Sequence, residues 1–241
     1  MPTAVITFDD VVRSQLENAV PVLQKHGFKA TFFVCDWFRD SRIHALKQGM
    51  DMADLKTLHQ LGFELGNHTK DHANPASLSV EENKAQVAYI EDLFKELQVP
   101  APKVYAYPGA PYAEPAATAV KSMGYIAARA GGNRPLDLAA LNPFDMPSYL
   151  LCDDHPECFD KAFAALKEGK TVILTYHGIP DVEHPWCNVS VEHFTEHMQR
   201  LADIGCKCPT YSELMKTLLK EPQNTQNKQS LTAVADNLQT A

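Results

Sequence analysis

Short apolar runs alternate with stretches whose apolar residues recur at helical spacing. Ala4-Val5-Ile6 is followed by the polar Thr7-Phe8-Asp9-Asp10, and Thr31-Phe32-Phe33-Val34-Cys35 closes a segment opening at Phe28. Such brief, unalternating runs predict buried strands. Further strands are predicted at Phe63–Gly66, Val104–Tyr107, Tyr125–Arg129, Ser148–Cys152 and Thr171–Tyr176, with a last short one at Cys206–Cys208. Between them, helices are predicted over Val20–His26, with Ser14 as cap, and over Met52–Leu61 behind Asp51. Ser79-Val80-Glu81-Glu82 reads as a capping box that opens a helix to Leu97. Pro115–Met123, Phe159–Leu166, Val191–Ile204 and a Thr210-capped helix to Leu219 complete the set, while Trp37–Gly49 reads as mixed loop and helix. Strands alternating with helices predict βα units and a largely parallel, closed sheet. The polar, Gln/Asn-rich stretch 221–241 reads as a mobile tail beyond a single domain at 1–220.

Composition narrows the partners. With 22 Lys and Arg against 30 Asp and Glu, the net charge is 22 − 30 = −8. No basic patch interleaved with aromatics is present, which argues against nucleic acid. No apolar run approaches the ~20 residues of a membrane span. The first strand begins almost at Met1, so the expectation is a cytoplasmic chain, or an extracellular one if a signal peptide has been removed. The six cysteines lack the paired spacing of a zinc site and read as ordinary thiols in a reducing compartment.

The candidate chemistry falls where strands end. Asp9 and Asp10 close the first strand, and two adjacent carboxylates repel unless a positive group lies between them. His68 and His72 stand four residues apart just after the third strand. One carboxylate with two imidazoles is a common first shell for a catalytic divalent ion. Taken singly, an Asp-Asp pair is a solvated loop and an i, i+4 histidine pair a surface feature. Tyr107, Pro108 and Gly109 after the fourth strand, and His177 after Thr171–Tyr176, fall on the same rim. In a βα barrel that rim carries the active site.

These motifs resemble the polysaccharide deacetylase family, the NodB-homology carbohydrate esterases, over about Thr3 to Leu219. Thr7-Phe8-Asp9-Asp10 looks like the family's first motif, His68-Thr69-Lys70-Asp71-His72 like its H-[ST]-x-x-H second motif, and Thr175-Tyr176-His177 like its fifth. The resemblance implies a distorted (β/α) barrel of about seven parallel strands and metal-dependent removal of N- or O-acetyl groups from sugars. It implies Asp9 as base, Asp10, His68 and His72 as metal ligands, and His177 as general acid. Where the third motif commonly carries Arg this chain has Ala106, and Arg129 or Arg134 is a candidate replacement beside Asp9. The fourth motif is not evident. Zn²⁺ is the expected ion, with Co²⁺ or Ni²⁺ as substitutes. A backbone N–H near Gly109 is the expected oxyanion donor. Tyr107, Pro108, Tyr112 and Trp186 are candidate groove residues. His177 calls for a neighbouring carboxylate, for which Asp145, Asp153 and Asp154 are the candidates. The substrate the resemblance implies is an acetylated sugar. The alternatives are a hydrolase of cyclic amides or other non-sugar acyl groups, and a metal-holding carbohydrate-binding protein without catalysis.

Overall fold

The computed structural model describes residues 1–36, 49–182 and 184–220; the predicted loop and helix from Trp37, up to residue 48, and the tail at 221–241 lie outside the described residues. Seven strands form one sheet: β1 (Thr3–Phe8), β2 (Thr31–Val34), β3 (Glu64–Asn67), β4 (Val104–Ala106), β5 (Ala127–Arg129), β6 (Tyr149–Leu150) and β7 (Thr171–Tyr176). Their order is β5-β4-β3-β2-β1-β7-β6 and every pairing is parallel. The two edges approach each other, because the segment leading into β6 lies along β5. Ala128 N–H donates to Pro143 O at 2.8 Å, Met146 N–H to Ala128 O at 3.1 Å, and Ala130 N–H to Met146 O at 2.8 Å. The result is a curled, distorted (β/α) barrel.

Strand parity decides what faces inward. On β1, Ala4, Ile6 and Phe8 join the outer core against the helices, while Val5 joins the inner core with Phe33, Val104 and Ile173. Both faces are buried, which is why the strand reads as a continuous apolar run. Continuing the inward line from Val5 through Thr7 leads to Asp9, and that from Ile173 through Thr175 leads to His177. The polar residues at the mouth thus extend the apolar column below them.

The helices are α1 (Val20–His26), α2 (Met52–Gln60), α3 (Val80–Leu97), α4 (Glu114–Ser122), α5 (Glu157–Lys167), α6 (Val191–Asp203) and α7 (Tyr211–Lys220). Capping boxes open α2 and α3, through Asp51 with Asp54 and Ser79 with Glu82. Two expectations are corrected. Ser14 does not cap α1, which is entered through a π-helical turn at Gln15–Ala19. Its hydroxyl instead donates to Pro180 O and accepts from Ile179 N–H, both at 2.8 Å. Cys206–Cys208 is not a strand but a single bridge between Lys207 and Thr3. Pro209 and the start of α7 follow at once, which leaves no room for a ladder.

Candidate metal centre and catalytic cleft

Asp10, His68 and His72 place one ligand atom each within 4.8 Å of one another. His68 Nε2 and His72 Nε2 each lie 3.6 Å from Asp10 Oδ1. His68 Nδ1 stands 2.9 Å from the carbonyl of Ala106, to which it donates. That bond fixes the tautomer and leaves the Nε2 lone pair aimed at Asp10. The Nε2 atom is buried without a hydrogen-bond partner. A buried acceptor with nothing to accept is costly, and a cation at that point relieves it. Burial pushes the His68 imidazole down to about 4, so the ring is neutral and able to ligate. The residues present fit a divalent ion.

The backbone is bent to make this cluster. Asp10 (φ 69°), Val11 (φ 48°), Thr69 (φ 69°) and His72 (φ 51°) all occupy the left-handed region. A β-branched residue there is an outlier, and such strain persists only where surroundings enforce it. Met50 N–H holds the Val11 carbonyl at 2.9 Å, and Asn67 Oδ1 accepts Thr69 N–H at 2.9 Å. Asp71 is tied to α3 by a reciprocal pair with Gln86. Just before the histidines, Gly66 lies under the Phe33 ring, where a Cβ would come within 2.6 Å. Only glycine lets β3 pass there.

Asp9 points into the mouth, where one nitrogen of Arg129 reaches both its oxygens, Nη2 to Oδ1 at 2.8 Å and to Oδ2 at 2.6 Å. Arg129 is itself buried. Its other terminal nitrogen donates to Thr175 Oγ1 at 3.0 Å, and its guanidinium lies 5.3 Å over the Phe33 ring. Burial raises the Asp9 carboxyl, but the balance is turned chiefly by Arg129, through its charge and its hydrogen bonds, and the group is held below the usual carboxylate range. Of the two arginines considered from sequence, Arg129 occupies this place and Arg134 is exposed.

His177 Nε2 lies 3.9 Å from Asp9 Oδ2 and 3.8 Å from Asp10 Oδ2. The carboxylates nearest its ring are thus Asp9 and Asp10, and none of Asp145, Asp153 and Asp154 hydrogen-bonds Nδ1, which is buried without a partner among the described residues. Asp153 is committed elsewhere, accepting from Ser190 N–H and pairing with His193 Nδ1, both at 2.9 Å. What holds His177 is Gln15, a fully buried residue that the sequence reading passed over. Its amide Nε2 donates to Asp9 O at 2.5 Å and His177 O at 3.2 Å, joining the two strand ends.

Asp9, Asp10, His68, His72, Arg129 and His177 open on one cleft of about 600 Å³, whose walls include Gly109, Leu150, His184, Trp186 and Cys187. Tyr107 is not a wall residue; it is buried in the barrel and its hydroxyl donates to Phe144 O at 2.8 Å. Tyr112 also lies outside the cleft lining, with its hydroxyl on the Glu114 carboxylate.

A family model described as polysaccharide deacetylase matches residues 1–128. The chain belongs to the polysaccharide deacetylase family. A curated relative, the putative polysaccharide deacetylase YxkH of Bacillus subtilis (strain 168), is 29% identical over 120 residues. That match spans 50% of the chain and 41% of the relative. Similar solved structures share the fold. The Xyl-CE4 domain of a multidomain xylanase from the hindgut metagenome of Trinervitermes trinervoides superposes with TM-score 0.61 at 16% identity, covering 90% of each chain. A family 4 acetyl xylan esterase from Clostridium thermocellum, solved with a cobalt ion, gives TM-score 0.60 at 20% identity, covering 91% of this chain and 93% of that one. Peptidoglycan deacetylase PdaC from Bacillus subtilis gives 0.58 at 19% identity over 94% of each. The family-model match stops one residue short of Arg129, and so before His177.

Proposed function

We propose that the chain is a divalent-metal-dependent hydrolase that releases acetyl groups, N- or O-linked, from a carbohydrate. One observation carries the reading: an ionised carboxylate, Asp9, is clamped by a buried arginine directly beside an Asp–His–His donor set. A site that merely held a metal or a sugar has no use for that pair. Breaking such a buried pair is costly and its net contribution to stability is small, so its retention points to chemistry. The family supports the acyl substrate, and the relative solved with cobalt supports a divalent ion.

Asp10, His68 and His72 would hold the ion, Zn²⁺ by preference, with Co²⁺ or Ni²⁺ as substitutes. When bound, such an ion acidifies water and polarises an acyl carbonyl. Asp9 receives the proton of the attacking water. Arg129 keeps Asp9 ionised until that moment and holds its carboxylate at the cleft. The backbone N–H at Gly109 is the donor we assign to the developing oxyanion. His177 delivers a proton to the departing nitrogen or oxygen. The cyclic-amide alternative drew part of its support from Ala106 in the arginine place, and Arg129 beside Asp9 weakens that part.

Acetate release from acetylated chitooligosaccharides and acetyl xylan, with small cyclic amides run in parallel, tests the reading with zinc-loaded protein. Turnover of cyclic amides without acetate release would overturn it. His177→Ala should keep the metal and lose about 10²–10⁴-fold in turnover on an amide, and less on an activated aryl acetate, whose leaving group needs no proton. Equal losses on both would return His177 to a structural role.

A further inference from the structure

The connection after β7 is built around a carboxylate that the proposed chemistry does not use. Asp181 is 1% exposed. Its Oδ2 accepts Gly178 N–H at 3.0 Å, and its Oδ1 accepts His184 N–H at 2.9 Å and lies 3.3 Å from His184 Nδ1. Its own N–H donates to Asn188 Oδ1 at 2.8 Å. Gly178 admits this turn, since a Cβ there would meet Asp181 Cα at 2.7 Å. The loop is also tied to the start of the first helical turn, where Asn18 Nδ2 donates to Ile179 O at 2.8 Å.

This fastened loop presents two side chains to the cleft, His184 and Trp186. Their rings meet edge to face, with centroids 5.3 Å apart and planes at 71°. The next residue, Cys187, is buried and its thiol donates to His184 O at 3.3 Å, which pins the turn carrying the indole. Trp186 is nevertheless 67% exposed. An indole left in water at the mouth of a cleft, edge to face with His184 and on a turn held by these hydrogen bonds, offers an apolar face to a ligand in the cleft.

We infer that Asp181, His184 and Trp186 form a saccharide subsite, in which a pyranose ring lies against the Trp186 indole and its hydroxyls meet the His184 imidazole. A pyranose has a face of C–H groups and a rim of hydroxyls, which matches an indole face beside an imidazole that Asp181 orients. The loop also carries His177, so the subsite receives the sugar on the leaving-group side. The inference rests on the proposed hydrolase reading for the place of the acyl group. It narrows the substrate class to an acetylated oligosaccharide rather than a small amide.

The test compares an acetylated oligosaccharide, tetra-N-acetylchitotetraose (chitotetraose below), with 4-nitrophenyl acetate, which has no sugar ring, on the full chain loaded with zinc. Trp186→Ala should raise KM for chitotetraose about tenfold with little change in kcat, the size of one good aromatic contact. It should leave kcat/KM for the aryl acetate within about twofold, and Trp186→Phe should recover most of the loss. His184→Gln should act in the same direction and less. Binding is read separately from turnover by tryptophan fluorescence, since the chain has two tryptophans, Trp37 and Trp186. Chitotetraose should change the signal of the native protein and not that of Trp186→Phe. Aryl acetate turnover with no fluorescence change and an unmoved KM would overturn the subsite and leave the hydrolase standing. A Trp186-dependent signal with no acetate released from any substrate would do the reverse. Equal losses on both substrates would make Trp186 structural and overturn the subsite.

Discussion

Asp9 at the mouth of the barrel meets a guanidinium, whereas Glu64 at its base meets only neutral donors. Glu64 opens β3, and its Oε2 accepts the Thr31 hydroxyl at 2.7 Å and Ser212 N–H at 3.1 Å. Desolvation pushes both carboxyls up. At Glu64 that effect prevails over the hydrogen bonds, and its affinity for a proton rises. At Asp9 the positive surroundings, Arg129 first among them by charge and hydrogen bond, reverse it. One barrel thus holds two carboxyls of opposite character. The deciding difference is a full positive charge in contact, not the degree of burial. The two ends also differ in backbone. The mouth collects left-handed Asp10, Val11, Thr69 and His72, while the base relies on ordinary caps and the Lys29–Glu213 ion pair.

The contrast breaks most completely if the donor set at the mouth is not a metal site. His68→Ala or Asp10→Ala should remove stoichiometric zinc and reduce acetate release to background, read by metal analysis and assay. Full zinc retention with unchanged affinity would end the assignment. Asp9→Asn comes next. It should retain zinc and fold while losing about 10²–10⁴-fold in turnover, as expected for removal of a general base. If Asp9→Asn strips the metal while Asp10→Ala keeps it, the two roles are exchanged.

Arg129→Met leaves the Asp9 charge buried and unpaired, which should lower unfolding free energy by about 3–5 kcal/mol in urea titrations. Adding Asp9→Asn to that variant should restore much of the loss, because no charge then remains to strand. A double variant no more stable than Arg129→Met would show that packing on Phe33, not charge, is what Arg129 supplies. A smaller effect is expected at His197, stacked 3.6 Å from Phe159 and pushed by burial down to about 4. An unfolded histidine titrates near 6.5, so between those values the unfolded chain binds more protons. Stability should therefore fall as pH drops from about 6.5 towards 4, by at most about 1.4 kcal/mol per pH unit. His197→Gln should flatten that slope. The smallest effect belongs to the base. Glu64→Gln should change unfolding free energy by only about 1 kcal/mol at neutral pH. A raised carboxyl contributes its stability below the unfolded value and loses it as pH rises through the folded one. Native protein should therefore compare best with this variant in acid.

How far the sequence reached depended on distance along the chain. Apolar runs, capping boxes and the His68–His72 spacing are local, and each was legible because its physics closes within one turn or strand. Asp9 and Arg129 are 120 residues apart, and Gln15 and His177 are 162 apart. Nothing near Gln15 marks it as a tie between two rim loops, apart from its nearness to Asp10. The carboxylate sought for His177 failed for the same reason. The sequence could not choose among Asp145, Asp153 and Asp154, and Asp153 is engaged by the α6 start and His193. Cys206–Cys208 has the composition of a strand, but its partner is 204 residues away, and only Lys207 forms a bridge, with Thr3.

Ala106 and Arg129 are register partners, directly opposite across the β4–β5 pairing. The arginine that the family pattern places on one strand stands here on its neighbour, at the same height. A ring of parallel strands offers several seats around one point, and a side chain seated in either chair can reach the same carboxylate. Inheritance along the chain and arrangement in space are then separate ledgers: a position can go blank in the first while the second stays complete. A search that scores each motif in line would count this protein as damaged. A search over the assembled rim would count it as whole, and Ala106→Arg combined with Arg129→Ala is the exchange that moves the occupant back.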